Sequence, residues 1–402
     1  MGPPHIDRRQ PMRKFHKLLQ GDSAFYQTIV PRPEQEAALR AAKNKIRDHL
    51  RSRIQVATKA VLGMDKAVAP RFRTQGSWAY RTCIQPDQAP PQEMDWDYGV
   101  YLPVDAWEEA GTPRVAAGAY FDLVESLLRE LCKQEGWSLG KKDKDHCIRV
   151  HIATGAHIDV ALYAAPVEQF AKVSDREIER FDKSVAMDAA NFSMERLNEA
   201  AEISIEQEWD DFDGMMVATR KGIWEPSDAE RIAGWFRDQL KMHGDQLQRV
   251  WRYLKAWRDH QWAKGGPSSV HLMLAASRHF DRQPGRDDKA LAQVARFLPT
   301  ALAEDFFEAG IDDDGKHNFN RLDAAGRHDA QHRANQLATV LQGALANVLQ
   351  NKSAVIVALR DQFGQRIPNR EVDVENDSPA DQVRETPAKV VVPPVVHSSY
   401  AG

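Results

Sequence analysis

Apolar residues recur at helical spacing from Pro33 to about Leu62: Leu39, Ala42, Ile46, Leu50, Ile54, Ala57 and Val61. Steps of three and four residues lie along one stripe of a helix, so this stretch predicts a long amphipathic helix with Pro33 in its first turn. A helix of that length can serve as a spine across two lobes. The period then changes. From Glu93 to Pro103 the apolar Met94, Trp96, Val100 and Leu102 predict a strand, with Asp95 and Asp97 sharing its other face. Cys147–His151 and His157–Tyr163 read as further short strands. Tyr120–Cys132 reads as a helix, with Phe121, Val124, Leu127, Leu128 and Leu131 on one side.

Past about Pro166 helix dominates. Ser227-Asp228-Ala229-Glu230 has the form of a capping box, opening a periodic segment that runs to about Trp262. Gly265-Gly266-Pro267 breaks it, and Ser268 or Ser269 opens the next helix. A last long helix is expected from about Asp329 to Phe363. The pattern divides the chain into an N-terminal arm (1–32), an α/β core with the spine helix (33–180), a helical lobe (181–364) and a proline-bearing disordered tail (365–402).

Composition narrows the reading without deciding it. A chain of 402 residues with 42% hydrophobic residues can build two packed domains. The net charge of -4 argues against nucleic-acid binding driven by overall charge. Cys83, Cys132 and Cys147 have neither disulfide-framework nor zinc-module spacing, which fits a reducing cytoplasm. No run approaches the roughly 20 apolar residues of a membrane span.

The chemistry gathers between Gln75 and Tyr101. Asp95 and Asp97 sit two apart on a strand, with Glu93 a possible third member, and Asp159 lies in another short apolar strand. Like charges side by side repel, and divalent cations between them relieve the repulsion. Three carboxylates on neighbouring strands suit two metal ions that activate an attacking 3′-hydroxyl and stabilise a leaving pyrophosphate. Gly76-Ser77, a turn opening a short helix ahead of the aspartates, is a candidate phosphate holder, and Gln75 is the next candidate contact. Ser227 and Ser269 also read as plain helix caps, Lys255 as an exposed helix lysine, and Arg149 as an edge-strand charge. Trp251 and Trp257 read as core, and His157 as structural.

Gln75-Gly76-Ser77, the Glu93–Pro103 stretch and His157-Ile158-Asp159-Val160 together resemble the bacterial cyclic GMP-AMP synthase family. These are the cGAS/DncV-like nucleotidyltransferases (CD-NTases) of CBASS anti-phage systems. Arg220–Asp228, Leu254–Asp259 and Gly265–Ser269 are similar to that family's nucleotide-binding half. The resemblance implies an α+β fold: a polymerase-β-like lobe with a mixed sheet, a helical C-terminal lobe, and an active site in the cleft between them. It implies Asp95, Asp97 and Asp159 as ligands of two Mg²⁺ ions, replaceable by Mn²⁺. It implies Gln75, Ser77, Ser227, Lys255, Ser269 and Arg149 as nucleotide contacts.

The function implied is condensation of ATP and GTP into a cyclic dinucleotide, most simply 3′,3′-cyclic GMP-AMP, serving a downstream effector from the cytoplasm. A linear nucleotidyltransferase and a non-catalytic nucleotide sensor are the alternatives. The family also implies that ubiquitin-like conjugation enzymes can join the C-terminal Gly402 to a target. No membrane or stable nucleic-acid partner is expected.

Overall fold

The computed structural model describes residues 12–64, 66–103, 113–166, 170, 214–311, 315 and 317–377. Gly402 and the expected boundary near residue 180 lie outside them. Strands are numbered in chain order: β1 (Arg13–Lys14), β2 (Arg71–Gln75), β3 (Met94–Pro103), β4 (Ser138–Leu139), β5 (Cys147–Ala153), β6 (Ala156–Ala165), β7 (Met216–Ala218), β8 (Trp224–Pro226) and β9 (Glu375–Asn376). The main sheet runs β2-β3-β6-β5-β4, with β7 and then β8 added at the far end of β6. The β3–β6 pair is parallel and the others are antiparallel, so the sheet is mixed, as expected.

The period-2 alternation of β3 sorts its side chains cleanly. Met94, Trp96, Tyr98, Val100 and Leu102 enter an apolar core with Ile158, Val160, Ile148 and Val150 of the neighbouring strands. The spine helix, Pro33–Ala60, closes this core with Leu39, Ala42, Ile46, Leu50 and Ile54. Each of these buried leucine and isoleucine side chains contributes about 1.5–3 kcal/mol of burial free energy. The expected stripe overreaches by one turn, because Val61 lies past the helix and is exposed. A second helix, Pro113–Glu135, adds Tyr120, Phe121, Val124, Leu128 and Leu131.

The helical lobe has its own core around Phe236, Trp251, Leu254, Trp257 and Leu272. The segment expected to run unbroken to Trp262 is two helices, Ala229–His243 and Asp245–Gln261, parted at Gly244 with φ of 70°. The expected capping box does not form: Asp228 is the N-cap, without a side-chain cap bond. Glu230 turns away into a buried ion pair with Arg73. The last long helix is also two, Ala324–Leu345 and Lys352–Phe363, because Asn347 takes a positive φ and Asn351 caps a fresh start.

Both expected irregular ends are partly ordered. Residues 365–377 are not a loose tail: Ile367 and Val374 are fully buried, and β9 pairs with β1 of the arm. The arm's Phe15, Leu18, Leu19, Phe25 and Ile29 join the helical core. Arg286 fastens both ends, bonding Asp288 at 2.9 Å and Asp377 at 2.7 Å, while Asp288 accepts from the Phe15 amide at 2.9 Å. Sequence patterning missed these pieces because each is too short to show a period. Among the described residues, no helix is long and apolar enough to cross a membrane.

Candidate active site

The face of the sheet opposite the apolar core carries two polar rungs. Register sets Gln75, Asp97, Asp159 and Arg149 across β2, β3, β6 and β5. The adjoining rung carries Asp95, His157 and His151 across β3, β6 and β5. Asp95 and Asp97 therefore share a face with Asp159, as the alternation predicts. Trp96, between the two aspartates in sequence, points the other way. It is buried and stacks on Trp78 with ring centroids 4.4 Å apart, so it does not reach the cleft.

This face and the helical lobe enclose a cavity of about 760 Å³. Gln75, Gly76, Ser77, Asp95, Asp97 and Asp159 line it from the sheet side; Ser227, Lys255 and Ser269 line it from the other. Lobe-to-lobe bonds hold the walls in place. Lys255 Nζ donates to the Thr82 carbonyl at 2.9 Å, and the Gln92 amide in the proline-rich loop donates to the Asp259 carbonyl at 2.7 Å.

The carboxylates of Asp95 and Asp97 accept no hydrogen bond and form no ion pair among the described residues. Burial, together with the charges of Asp95 and Asp159, pushes the Asp97 carboxyl up to about 7. A part-buried acid with no donor, beside two more acids, is a donor set suited to a hard divalent cation. Asp159 is held differently. Burial pushes its carboxyl up, but Arg149, with help from His157 and Cys147, more than offsets this, and it ends below its ordinary value. Arg149 grips both oxygens, Nε to Oδ1 at 2.8 Å and Nη2 to Oδ2 at 2.7 Å. Arg149 itself does not line the cavity, and its guanidinium is committed to Asp159 rather than turned toward a nucleotide.

Gly76 is placed by necessity. Its φ is +58°, and a Cβ there would lie 2.0 Å from Asp97 Oδ2. Only glycine lets the backbone approach that carboxylate so closely. The neighbouring Ser77 hydroxyl is buried and has no hydrogen-bond partner among the described residues, which leaves it available to a ligand oxygen. Gln75 is more constrained than expected. Its amide nitrogen donates to Tyr101 Oη at 2.7 Å and its oxygen accepts from Tyr163 at 3.1 Å. Tyr101 in turn donates to Glu230 at 2.6 Å, so Gln75 belongs to a buried network that joins the lobes.

On the helical side, Ser268 is the helix cap, accepting from the His271 amide at 3.1 Å. Ser269 is thereby released from capping, and its Oγ accepts from Arg258 at 3.4 Å. Ser227 Oγ accepts a long bond from the Ala229 amide, at 3.4 Å. Sequence reading missed Tyr80, Arg258 and Asp259, which also line the cavity. The signal for Asp259 was present: it stands four residues after Lys255, on the same helix face. Cys83 and Cys147 line the cavity too, but burial pushes both thiols up to about 12, so neither is a thiolate nucleophile at neutral pH.

Residues 70–163 match the family profile described as cyclic GMP-AMP synthase DncV-like, nucleotidyltransferase domain. Residues 244–376 match the cyclic GMP-AMP synthase C-terminal domain. The chain is 32% identical over 319 residues to a cyclic GMP-AMP synthase of Escherichia coli, covering 75% of this chain and 68% of that one. It is 31% identical over 322 residues to the Vibrio cholerae cyclic GMP-AMP synthase, covering 76% and 70%. In fold it is similar to the crystal structure of Vibrio cholerae DncV cyclic AMP-GMP synthase in complex with the linear intermediate 5′ pppA(3′,5′)pG. That likeness has a TM-score of 0.71 at 23% identity and covers 92% of this chain and 100% of that one.

Proposed function

This chain belongs to the DncV-like cyclic GMP-AMP synthase family, and on that premise we propose that it condenses ATP and GTP into 3′,3′-cyclic GMP-AMP, releasing one pyrophosphate at each of two steps. It is a nucleotidyltransferase and a cyclic dinucleotide synthase. The observation that carries this reading is the donor-free pair Asp95 and Asp97, facing the inter-lobe cavity with Asp159 one strand away.

Asp95, Asp97 and Asp159 would hold two Mg²⁺ ions, or Mn²⁺ in their place. Bound there, the ions would make the 3′-hydroxyl a better nucleophile and neutralise the pyrophosphate leaving group. The remaining work falls to the chain's own side chains. The Ser77 hydroxyl and the close backbone at Gly76 suit triphosphate oxygens next to Asp97. Lys255, with one donor spent on Thr82, has further ammonium hydrogens for phosphate on the facing wall. Ser227 and Ser269 supply weakly engaged hydroxyls for nucleotide groups. Arg149 acts by positioning Asp159, keeping it ionised and oriented.

The setting we propose is the cytoplasm, where the product serves as a second messenger to a downstream effector in antiviral defence of the CBASS kind. The proposed conjugation of Gly402 by ubiquitin-like ligating enzymes rests on the family resemblance.

Mass spectrometry of products made by the purified chain from all four NTPs with Mg²⁺ or Mn²⁺ tests the reading. An Asp95→Ala/Asp97→Ala double variant is the control. A cyclic guanine–adenine dinucleotide that vanishes in the control is the expected result. A linear product would overturn cyclisation. Bound but unconverted nucleotide, with the tail conjugated or free, would make the chain a sensor.

A further inference from the structure

We propose that Glu93, His151 and His157 form a separate transition-metal site, of the kind zinc occupies, at the edge of the cleft. Each of the three offers one ligand atom, a carboxylate oxygen or a ring nitrogen, and these atoms all lie within 4.8 Å of one another. The fold brings them together from distant sequence. His151 and His157 are cross-strand partners on β5 and β6, and Glu93 immediately precedes β3, where Asp95 sits in register with His157. The site stands apart from the cyclase reading, and it would exist even if the cleft did other chemistry.

The geometry is close to what a metal requires. Zinc takes nitrogen and carboxylate oxygen at about 2.0–2.2 Å, which sets tetrahedral donors roughly 3.3 Å apart. Glu93 Oε2 lies 2.7 Å from His157 Nδ1 and 3.7 Å from His151 Nδ1. Two imidazoles and a carboxylate are borderline ligands, matched to zinc or cobalt rather than to magnesium, which prefers oxygen alone. Glu93 and His151 are part-exposed, so an ion has a way in and a fourth position for water.

A second, independent feature points the same way. His157 is 4% exposed, and its Nε2 is buried with no hydrogen-bond partner among the described residues. That nitrogen lies 3.8 Å from Asp159 Oδ1. His157 Nδ1 lies at hydrogen-bond distance from Glu93, and Nε2 faces a carboxylate. An ion bound on Nδ1 leaves the neutral ring's one proton on Nε2, directed at Asp159. A metal-bound histidine whose second nitrogen donates to a carboxylate is the usual outer-shell arrangement. An occupied site would thus give Asp159 a further donor beside Arg149.

The test is titration of the metal-free full chain with Co²⁺ in the presence of excess Mg²⁺, read by visible absorption. The expected result is one Co²⁺ per chain with the bands of a four-coordinate nitrogen/oxygen ion, bleached by Zn²⁺. His151→Ala and Glu93→Gln should each abolish the bands, and Asp97→Asn should retain them. His151 is part-exposed, so its variant is expected to fold, and a thermal unfolding curve checks this. Absent bands, bands that survive His151→Ala, or bands lost in Asp97→Asn would each overturn the proposal. The last outcome would place the ion among the aspartates instead.

Discussion

Asp97 costs the metal-free protein stability, and removing its charge should show this. Burial and the charges of Asp95 and Asp159 raise its carboxyl from the ordinary 3.8 to about 7. A displacement of that size corresponds to ~4 kcal/mol of unfavourable ionisation above pH 7. The side chain partly faces water in the cleft, so we take about half of this, ~2 kcal/mol. The sign follows from proton binding. Between pH 3.8 and about 7 the folded chain holds a proton that the unfolded chain has released, so stability falls as pH rises through that window. Asp97→Asn should therefore be the more stable protein in EDTA at pH 8, by roughly 2–4 °C in melting temperature. The advantage should shrink on acidification and vanish below pH 4. Mg²⁺ should restore the wild type and leave the variant nearly unmoved, while product formation is lost. Calorimetry from pH 4 to 8, with and without Mg²⁺, decides it. A variant no more stable than wild type at pH 8, or an advantage independent of pH, would refute the reasoning.

Two other substitutions test the scaffold. Gly76→Ala meets both a positive φ and the Asp97 carboxylate; we expect a loss of ~1–3 kcal/mol in stability and at least 100-fold in turnover, seen by urea titration and product assay. Asp287→Asn removes the charge that Arg249 grips at 2.6 and 2.8 Å in a fully buried site. Burial pushes the Asp287 carboxyl up, but Arg249 and Gln246 bring it below 3.8. Its stabilisation is thus fully present above about pH 4 and is lost as pH falls through the lowered value. The variant should lose ~3–5 kcal/mol at pH 7, and less than that in acid, by denaturant titration.

Much of the sheet was legible because a period of two is a strict rule. Alternation alone put Asp95 and Asp97 on one face and Trp96 on the other. The spine helix was legible for the same reason at a different period. The failures came where tertiary contacts outbid a local rule. Glu230 had the sequence position of a capping-box acid, yet a buried arginine on another lobe holds it more strongly than a backbone amide would. Gly244 and Asn347 broke helices that apolar spacing alone would have continued, since periodicity is blind to one residue at positive φ. Ser268 and Ser269 were equivalent as caps on paper, and only the backbone geometry chose between them.

The role of Arg149 shows where a motif stops informing. The family resemblance implied a nucleotide contact, residue type alone also allowed an edge-strand charge, and nothing in one strand's sequence says what lies beside it on the next. Cross-strand register does say it. Arg149 and Asp159 are direct partners, their side chains on one face at a spacing where a guanidinium and a carboxylate meet bidentately. The same register makes His151 the partner of His157, one rung along. One rung therefore carries two carboxylates of the triad, Asp97 and Asp159, with Arg149 beside Asp159, and the next carries Asp95 with the histidine pair along it. The acids were visible in the sequence because chemistry fixes their type and spacing. Their supporting groups were not, because the β5–β6 hairpin places them, and a hairpin's register is decided by its turn and bulge rather than by the residues that use it.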